Sequence, residues 1–376
     1  QRPDAFARSL GSAALSRSDS ADFAAVFLSD TPLLDTRAPL EFAQGALPNA
    51  VNLPLMSDDE RAQVGLCYKR RGQAAAIALG HALVQGEAKA ARINAWRDFA
   101  ERNPGGFLYC FRGGLRSQIS QQWLAESGCD YPRITGGYKA MRQFLLETLQ
   151  QAAKRRILVI SGQTGCAKTR LLNSHPNGID LEGMANHRGS AFGKRLGGQP
   201  GQIDFENALA VALLKHAHAM PKLPVLLEDE SRLIGRIAVP DVLRESTMQA
   251  PLTVVEMALE ERVEHTFHNY ILGNLADWQA HAGDEPGFGQ FATELRANLA
   301  TLHRRLGGFR YAQLASHLDD ALSSHQRGNP DPHRNWIRDL LRDYYDPMYA
   351  YQLGMKADRV VFRGSYAEVM DYLKNH

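Results

Sequence analysis

At 376 residues the chain exceeds what one ordinary hydrophobic core organises, and two domains is the simplest partition. Apolar residues make up 44% and charged residues 22%, which excludes a long disordered or low-complexity protein, and the absence of a bilayer-length apolar run excludes a helical membrane span. The formal net charge of +2 gives no global electrostatic case for a nucleic-acid partner, so such a contact would have to rest on local clusters such as Lys69-Arg70-Arg71, Lys154-Arg155-Arg156 and His303-Arg304-Arg305.

Residues 1–20, rich in Ala, Ser and Arg without a sustained period, read as a lead-in, with no leader pattern. A cytoplasmic protein without membrane association is expected. Pro32–Asp35 and Gly106–Cys110 are strand-like, and Ala74–Gln85 and Glu87–Glu101 between them have helical spacing. Arg116–Ser127 and Ala140–Ala153 read as further helices. Ile157–Ile160 then starts a new buried strand, which puts the domain boundary near residue 150, with a first domain over 21–148 and a second over 149–376. In the second, Leu223–Leu227 and Leu252–Met257 are buried strands, a mostly helical region runs from about 260 to 355, and the strand Arg359–Phe362 and helix Tyr366–Leu373 close the chain. Alternating short strands and helices predict parallel α/β sheets. Cys67, Cys110, Cys129 and Cys166 lack the paired spacing of a zinc site or disulfide framework and are expected to be reduced thiols.

Two segments carry chemistry. In the first, Cys110 ends a strand and the loop Phe111-Arg112-Gly113-Gly114-Leu115-Arg116 leads into a helix. Loop N–H groups can form an anion-binding nest, and the helix N-terminus with Arg112 and Arg116 would favour a thiolate. Upstream stand Asp35-Thr36-Arg37, Glu41-Phe42 and Gly45-Ala46-Leu47-Pro48, and downstream Gly136-Gly137-Tyr138. These pieces resemble the rhodanese signature over about residues 25–145, which implies a chalcogen carried on Cys110. Two departures stand out: Ala46 replaces the usual loop histidine, and the active loop is one residue longer than the commonest form. Cys110 to Arg116 also reads as Cys-x5-Arg, the spacing of phosphatases of the same fold, so a phosphatase is the rival here.

In the second segment, the strand Ile157–Ile160 runs into Gly162-Gln163-Thr164-Gly165-Cys166-Ala167-Lys168-Thr169 and a helix. Backbone amides there can wrap a diphosphate, Lys168 can neutralise it, and Thr169 can ligate Mg2+. Ala167 stands where the pattern has glycine, which is acceptable if its φ is negative. Further on, an apolar strand ends in Glu228 and Asp229, positioned to hold the metal, followed by Arg232. The intervening Asp180, Glu182, His187, Arg188 and Ser190 are candidates for substrate contact. The fold expected is α/β throughout: a rhodanese-like parallel-sheet domain, then a P-loop NTPase-like domain with a helical C-terminal extension.

Taken together with Cys67-Tyr68-Lys69 and the run Tyr344-Tyr345-Asp346-Pro347-Met348-Tyr349, these motifs resemble bacterial tRNA 2-selenouridine synthases over nearly the whole chain. The resemblance implies an enzyme that converts wobble 2-thiouridine of tRNA to 2-selenouridine through an S-geranyl intermediate. The co-substrates implied are geranyl diphosphate and selenophosphate, with the tRNA anticodon stem-loop and a selenophosphate-supplying enzyme as partners. Lys168 and Thr169 would serve the diphosphate, and Cys110, Arg112 and Arg116 the selenium donor. Tyr344, Tyr345 and the basic helices near Arg304 and Arg338 would face tRNA or else belong to core and surface. A nucleotide-dependent, kinase-like enzyme, with Glu260 to Arg262 opening a lid helix, and a non-catalytic carrier module remain as alternatives.

Overall fold

The computed structural model describes residues 17–375, and the first sixteen residues of the expected lead-in lie outside the described residues. The chain divides into two compact units, Gln1–Phe144 and Leu145–His376, the division falling within the helix Gly137–Ala152.

The first unit is built on three parallel strands, β1 (Leu33–Asp35), β2 (Ala50–Asn52) and β3 (Phe107–Tyr109), in the order β2-β1-β3. Central β1 is buried along its whole length, as a strand flanked on both sides must be. Residues Trp96, Phe99, Trp123 and Tyr131 pack with Leu34 and Leu108 into the core on one face. A helix expected from Ala74 begins instead at Asp58, because Ser57 forms a reciprocal cap: Glu60 N–H donates to Ser57 Oγ at 3.2 Å and Ser57 N–H to Glu60 Oε2 at 2.7 Å. That helix runs to Leu83 but bends at Gly72, whose φ of 80° only glycine adopts without strain.

The second unit holds a five-stranded, all-parallel sheet. Its strands are β4 (Ile157–Gly162), β5 (Gly178–Ile179), β6 (Val225–Glu228), β9 (Leu252–Val255) and β10 (Val360–Gly364), ordered β10-β9-β4-β6-β5. A small antiparallel hairpin, β7 (Leu233–Ile234) with β8 (Ile237–Ala238), follows β6. Continuous burial of β4, β6 and β9 suits strands covered on both faces. The helices between Leu259 and Gly354 form a separate core around Phe267, Phe291, Leu318 and Trp336 before β10 returns to the sheet edge. The helix Gln202–Ala219 and the short strands β2, β5, β7 and β8 have no counterpart in the sequence reading. Among the described residues no helix is long and apolar enough to cross a membrane.

Candidate functional site

Because β4 lies between two parallel neighbours, its carboxyl end opens where a parallel sheet most readily binds ligands. The loop there turns sharply. A Cβ on Gly162 would stand 2.5 Å from Cys166 Sγ and 2.7 Å from Val255 O, so no other residue fits its place. Ala167 was expected to keep a negative φ; it takes φ 64° and ψ 28°, the left-handed conformation, directly before the helix Lys168–Ser174. The loop therefore keeps the glycine-type turn and carries the steric cost of a methyl group there, on the order of 1–2 kcal/mol.

Lys168 folds back over this loop and donates to Gly162 O at 2.5 Å. Burial acts to lower its ammonium, but Cys166, Glu182, Tyr349 and Glu230 around it raise it overall. Thr169 Oγ1 lies 3.1 Å from Glu182 Oε2 and 3.2 Å from Glu228 Oε1, and the Glu182 amide donates to Glu228 Oε2 at 3.1 Å. Two acids thus crowd one hydroxyl, and Glu230 stands beside Glu182. Burial and mutual repulsion push Glu228 well above the usual carboxylate range, raise Glu182 and bring Glu230 up to about 8. Asp229 also lines the cavity, but its carboxylate is not on Thr169: Ser161 Oγ donates to it at 2.6 Å and Lys356 Nζ pairs with it at 2.6 Å. The cavity over the loop, 500 Å³, is also lined by Arg188, Ser190, Arg195, Tyr270, Tyr345 and Tyr349. Arg262, nearly inaccessible, holds Asp346 through two 2.7 Å bonds and reaches Thr164 O at 3.3 Å, so it braces the loop against the Tyr344–Tyr349 segment.

In the first unit Cys110 follows β3, is 3% exposed, and has its Sγ 3.2 Å from Ser117 Oγ. The expected motif pieces surround it. Asp35 and Arg37 form a buried pair at 2.7 Å; Tyr109 OH donates to Asp35 Oδ2, and Arg37 lies over the Tyr138 ring at 3.8 Å. Gly113 and Gly137 touch backbone to backbone: a Cβ on Gly137 would lie 2.3 Å from Cys110 O and 2.5 Å from Gly113 N. The Tyr138 and Lys139 amides then donate to Cys110 O and Phe111 O at 2.9 Å, which holds the loop from below. Arg116 makes two bonds to Glu41, at 2.5 and 3.1 Å, and Arg61 a third contact at 3.1 Å. Burial works to raise Glu41, but Arg116, the Ala38 amide and Arg61 outweigh it and hold the carboxyl below its ordinary value. Arg112 is exposed.

A family model described as the tRNA 2-selenouridine synthase AAA domain matches residues 155–376. Over 355 residues the chain is 59% identical to the tRNA 2-selenouridine synthase of Hahella chejuensis (strain KCTC 2396), covering 94% of each chain. It is 54% identical over 362 residues to that of Cupriavidus necator, covering 96% of this chain and 98% of the relative. It is 49% identical over 361 residues to that of Alcanivorax borkumensis, covering 96% and 99%. The chain belongs to the tRNA 2-selenouridine synthase family. It is accordingly an enzyme, and a transferase-type reaction fits the family.

Within this member of the synthase family, Gly162, Thr164, Gly165, Cys166, Lys168 and Thr169 line the P-loop cavity together with Glu182, Arg188 and Ser190. Other sequence candidates serve structure. Asp180 caps the short helix after β5 by accepting from Gly183 N at 2.6 Å, and His187 Nδ1 accepts from Gly189 N at 3.1 Å to shape its loop. Arg232 is exposed and stands apart from the cavity lining, as does Gln163. Tyr345 and Tyr349 do line the cavity, whereas Tyr344 sits beside Arg305 at 3.4 Å and Arg338 is tied to Glu260 at 2.7 Å. Arg195, His265, Asn269 and Tyr270 reach the site with no motif to announce them. The Tyr345 and Tyr349 contributions were signalled by the aromatic run 344–349.

Proposed function

We propose that the chain replaces the sulfur of wobble 2-thiouridine in tRNA with selenium, in two steps divided between its two loops. The observation that carries this reading is the presence, in one member of this family, of a P-loop cradle around Lys168 and Thr169 and a supported cysteine loop around Cys110. We read the first unit as rhodanese-like, supported by its parallel strands, the cysteine after β3, the Asp35–Arg37 pair and the Gly113–Gly137 contact.

In the first step the thiouridine sulfur bonds to the allylic carbon of geranyl diphosphate, the carbon–oxygen bond breaks, diphosphate leaves and the N3 proton is lost. Loop amides and Lys168 stabilise the negative charge that develops on the departing group. Mg2+ suits this place. Thr169 and Glu228 would hold it, while Asp229 is committed to Lys356. Such a cation would be held largely by phosphate oxygens and water. When bound it would add positive charge beside the diphosphate.

In the second step selenium from selenophosphate bonds to C2 of the base, the prenyl thiol departs, water takes up the phosphoryl group, and a proton returns to N3. Cys110, with Arg112 at the loop surface, would handle the donor. The substrate is the anticodon stem-loop of a 2-thiouridine tRNA, the donor comes from a selenophosphate-supplying enzyme, and the setting is cytoplasmic.

The test incubates the protein with a 2-thiouridine stem-loop, Mg2+, geranyl diphosphate and selenophosphate and follows the nucleoside by mass spectrometry. S-geranyl and then 2-seleno product is expected. Untouched thiouridine with ATP hydrolysis would replace this reading by a nucleotide-dependent one.

A further inference from the structure

The first unit contains a second cavity, of 800 Å³, between the bent helix Asp58–Leu83 and the helix Leu115–Glu126. Past the bend at Gly72 the two limbs of the first helix approach each other: a Cβ on Gly80 would lie 3.8 Å from Val64 Cγ2. The walls are apolar, made by Leu55, Met56, Val64, Ile77, Ile119 and Trp123. Its rim is basic, with Arg61, Lys69, Arg112 and Arg116. Glu41 answers two of these, Arg61 and Arg116; Lys69 and Arg112 have no acidic partner among the described residues.

Three features indicate what enters. The helix Asp58–Leu83 is 26 residues long, yet Ala76 is its one buried residue, and Val64, Tyr68, Ala76 and Ile77 of this helix line the cavity. Leaving a large apolar surface to water is costly, and such a surface marks a binding site. Next, Arg112, Leu115 and Arg116 belong both to the cavity and to the Cys110 loop, so a ligand in the cavity ends at that loop. Finally, the P-loop cavity is lined mainly by charged and hydroxyl-bearing side chains, so the cavity of the first unit is the more apolar of the two.

We propose that this cavity holds the isoprenoid chain of the S-prenylated tRNA base while its C2 carbon faces the Cys110 loop, with Lys69 and Arg112 meeting phosphate at the mouth. This assignment rests on the two-step reading above. An apolar chain with an anionic neighbour is the ligand class, and the cavity selects the prenylated base over the unmodified one.

The test measures affinities of the full chain for S-geranyl-2-thiouridine and S-methyl-2-thiouridine anticodon stem-loops, with Ile77→Trp and Ile119→Trp as two independent cavity-filling variants. The wild type is expected to hold the S-geranyl form at least about tenfold more tightly. Each variant should bind both forms alike, and retained S-methyl binding reports that it is folded. Equal binding of the two forms by the wild type, or a preference that survives both variants, overturns the assignment. If the wild type shows the preference yet converts no 2-thiouridine, the cavity assignment stands and the two-step reading falls. If it makes 2-seleno product without any preference, the reading stands and the cavity assignment falls.

Discussion

Ala167 shows how a residue can break a sequence pattern and keep its geometry. The sequence admitted alanine on the assumption of negative φ, but the turn into the helix Lys168–Ser174 imposes φ 64° whatever residue stands there. Backbone sign depends on the path of the loop, which the residue type alone does not encode. Ala167→Gly should therefore stabilise the second unit by up to about 1 kcal/mol, since relief of strain exceeds the entropic cost of glycine. Chemical denaturation checks this; an unchanged or lower midpoint would mean that the methyl group is not strained. The acids teach a similar lesson. Glu228 and Asp229 were both legible as the end of a strand, but alternation along the chain sends only Glu228 to Thr169 and turns Asp229 to Ser161 and Lys356. Arg116 was read as a charge favouring the Cys110 thiolate and serving the selenium donor, and its pairing with Glu41, 75 residues away in sequence, could not be read from local spacing.

Among elements, the apolar strands β1, β3, β4, β6 and β9 and the two loops following β3 and β4 were legible because apolar runs, glycine and flanking helices recur within a few residues. The strands β2, nowhere fully buried, and β5, only two residues long, were not, since they owe their conformation to a neighbouring strand and not to their own periodicity. The Arg262–Asp346 strap is likewise a tertiary feature. Arg262→Met should cost about 3 kcal/mol, because it leaves Asp346 facing an apolar side chain, and Asp346→Leu in the same chain should recover part of that loss. A double-mutant cycle by urea denaturation measures it, and additive losses would show that the pair is not coupled. In the helical region, His333 accepts from Trp336 Nε1 at 2.9 Å and lies 3.2 Å from His325 Nδ1. Burial, with His325 beside it, lowers His333 to about 3 from an ordinary 6.5. A depressed folded-state value means the unfolded chain takes up the proton first, so this group contributes stability above pH 6.5 that is lost as pH falls toward 3, at about 1.4 kcal/mol per pH unit. His333→Gln should flatten that slope in thermal denaturation followed across this range, and an unchanged slope would assign the acid sensitivity to other groups.

At the scale of the whole molecule, two loops with different chemistry sit on two parallel sheets, one offering a thiol and the other an ammonium and a hydroxyl among carboxylates. The motifs made that division readable from the sequence, because each chemistry needs its groups within one short loop. The walls of both cavities were not readable, since they draw side chains from helices far apart along the chain. Under the proposed division of labour, prenyl transfer belongs to the Lys168 loop and selenium transfer to the Cys110 loop. The direct measurement supplies pre-formed S-geranyl-2-thiouridine stem-loop and selenophosphate to Lys168→Ala and Cys110→Ala and quantifies 2-selenouridine by mass spectrometry. Lys168→Ala should form it at close to the wild-type rate and Cys110→Ala should form none. Product from Cys110→Ala, or its loss in Lys168→Ala, would contradict the division of labour.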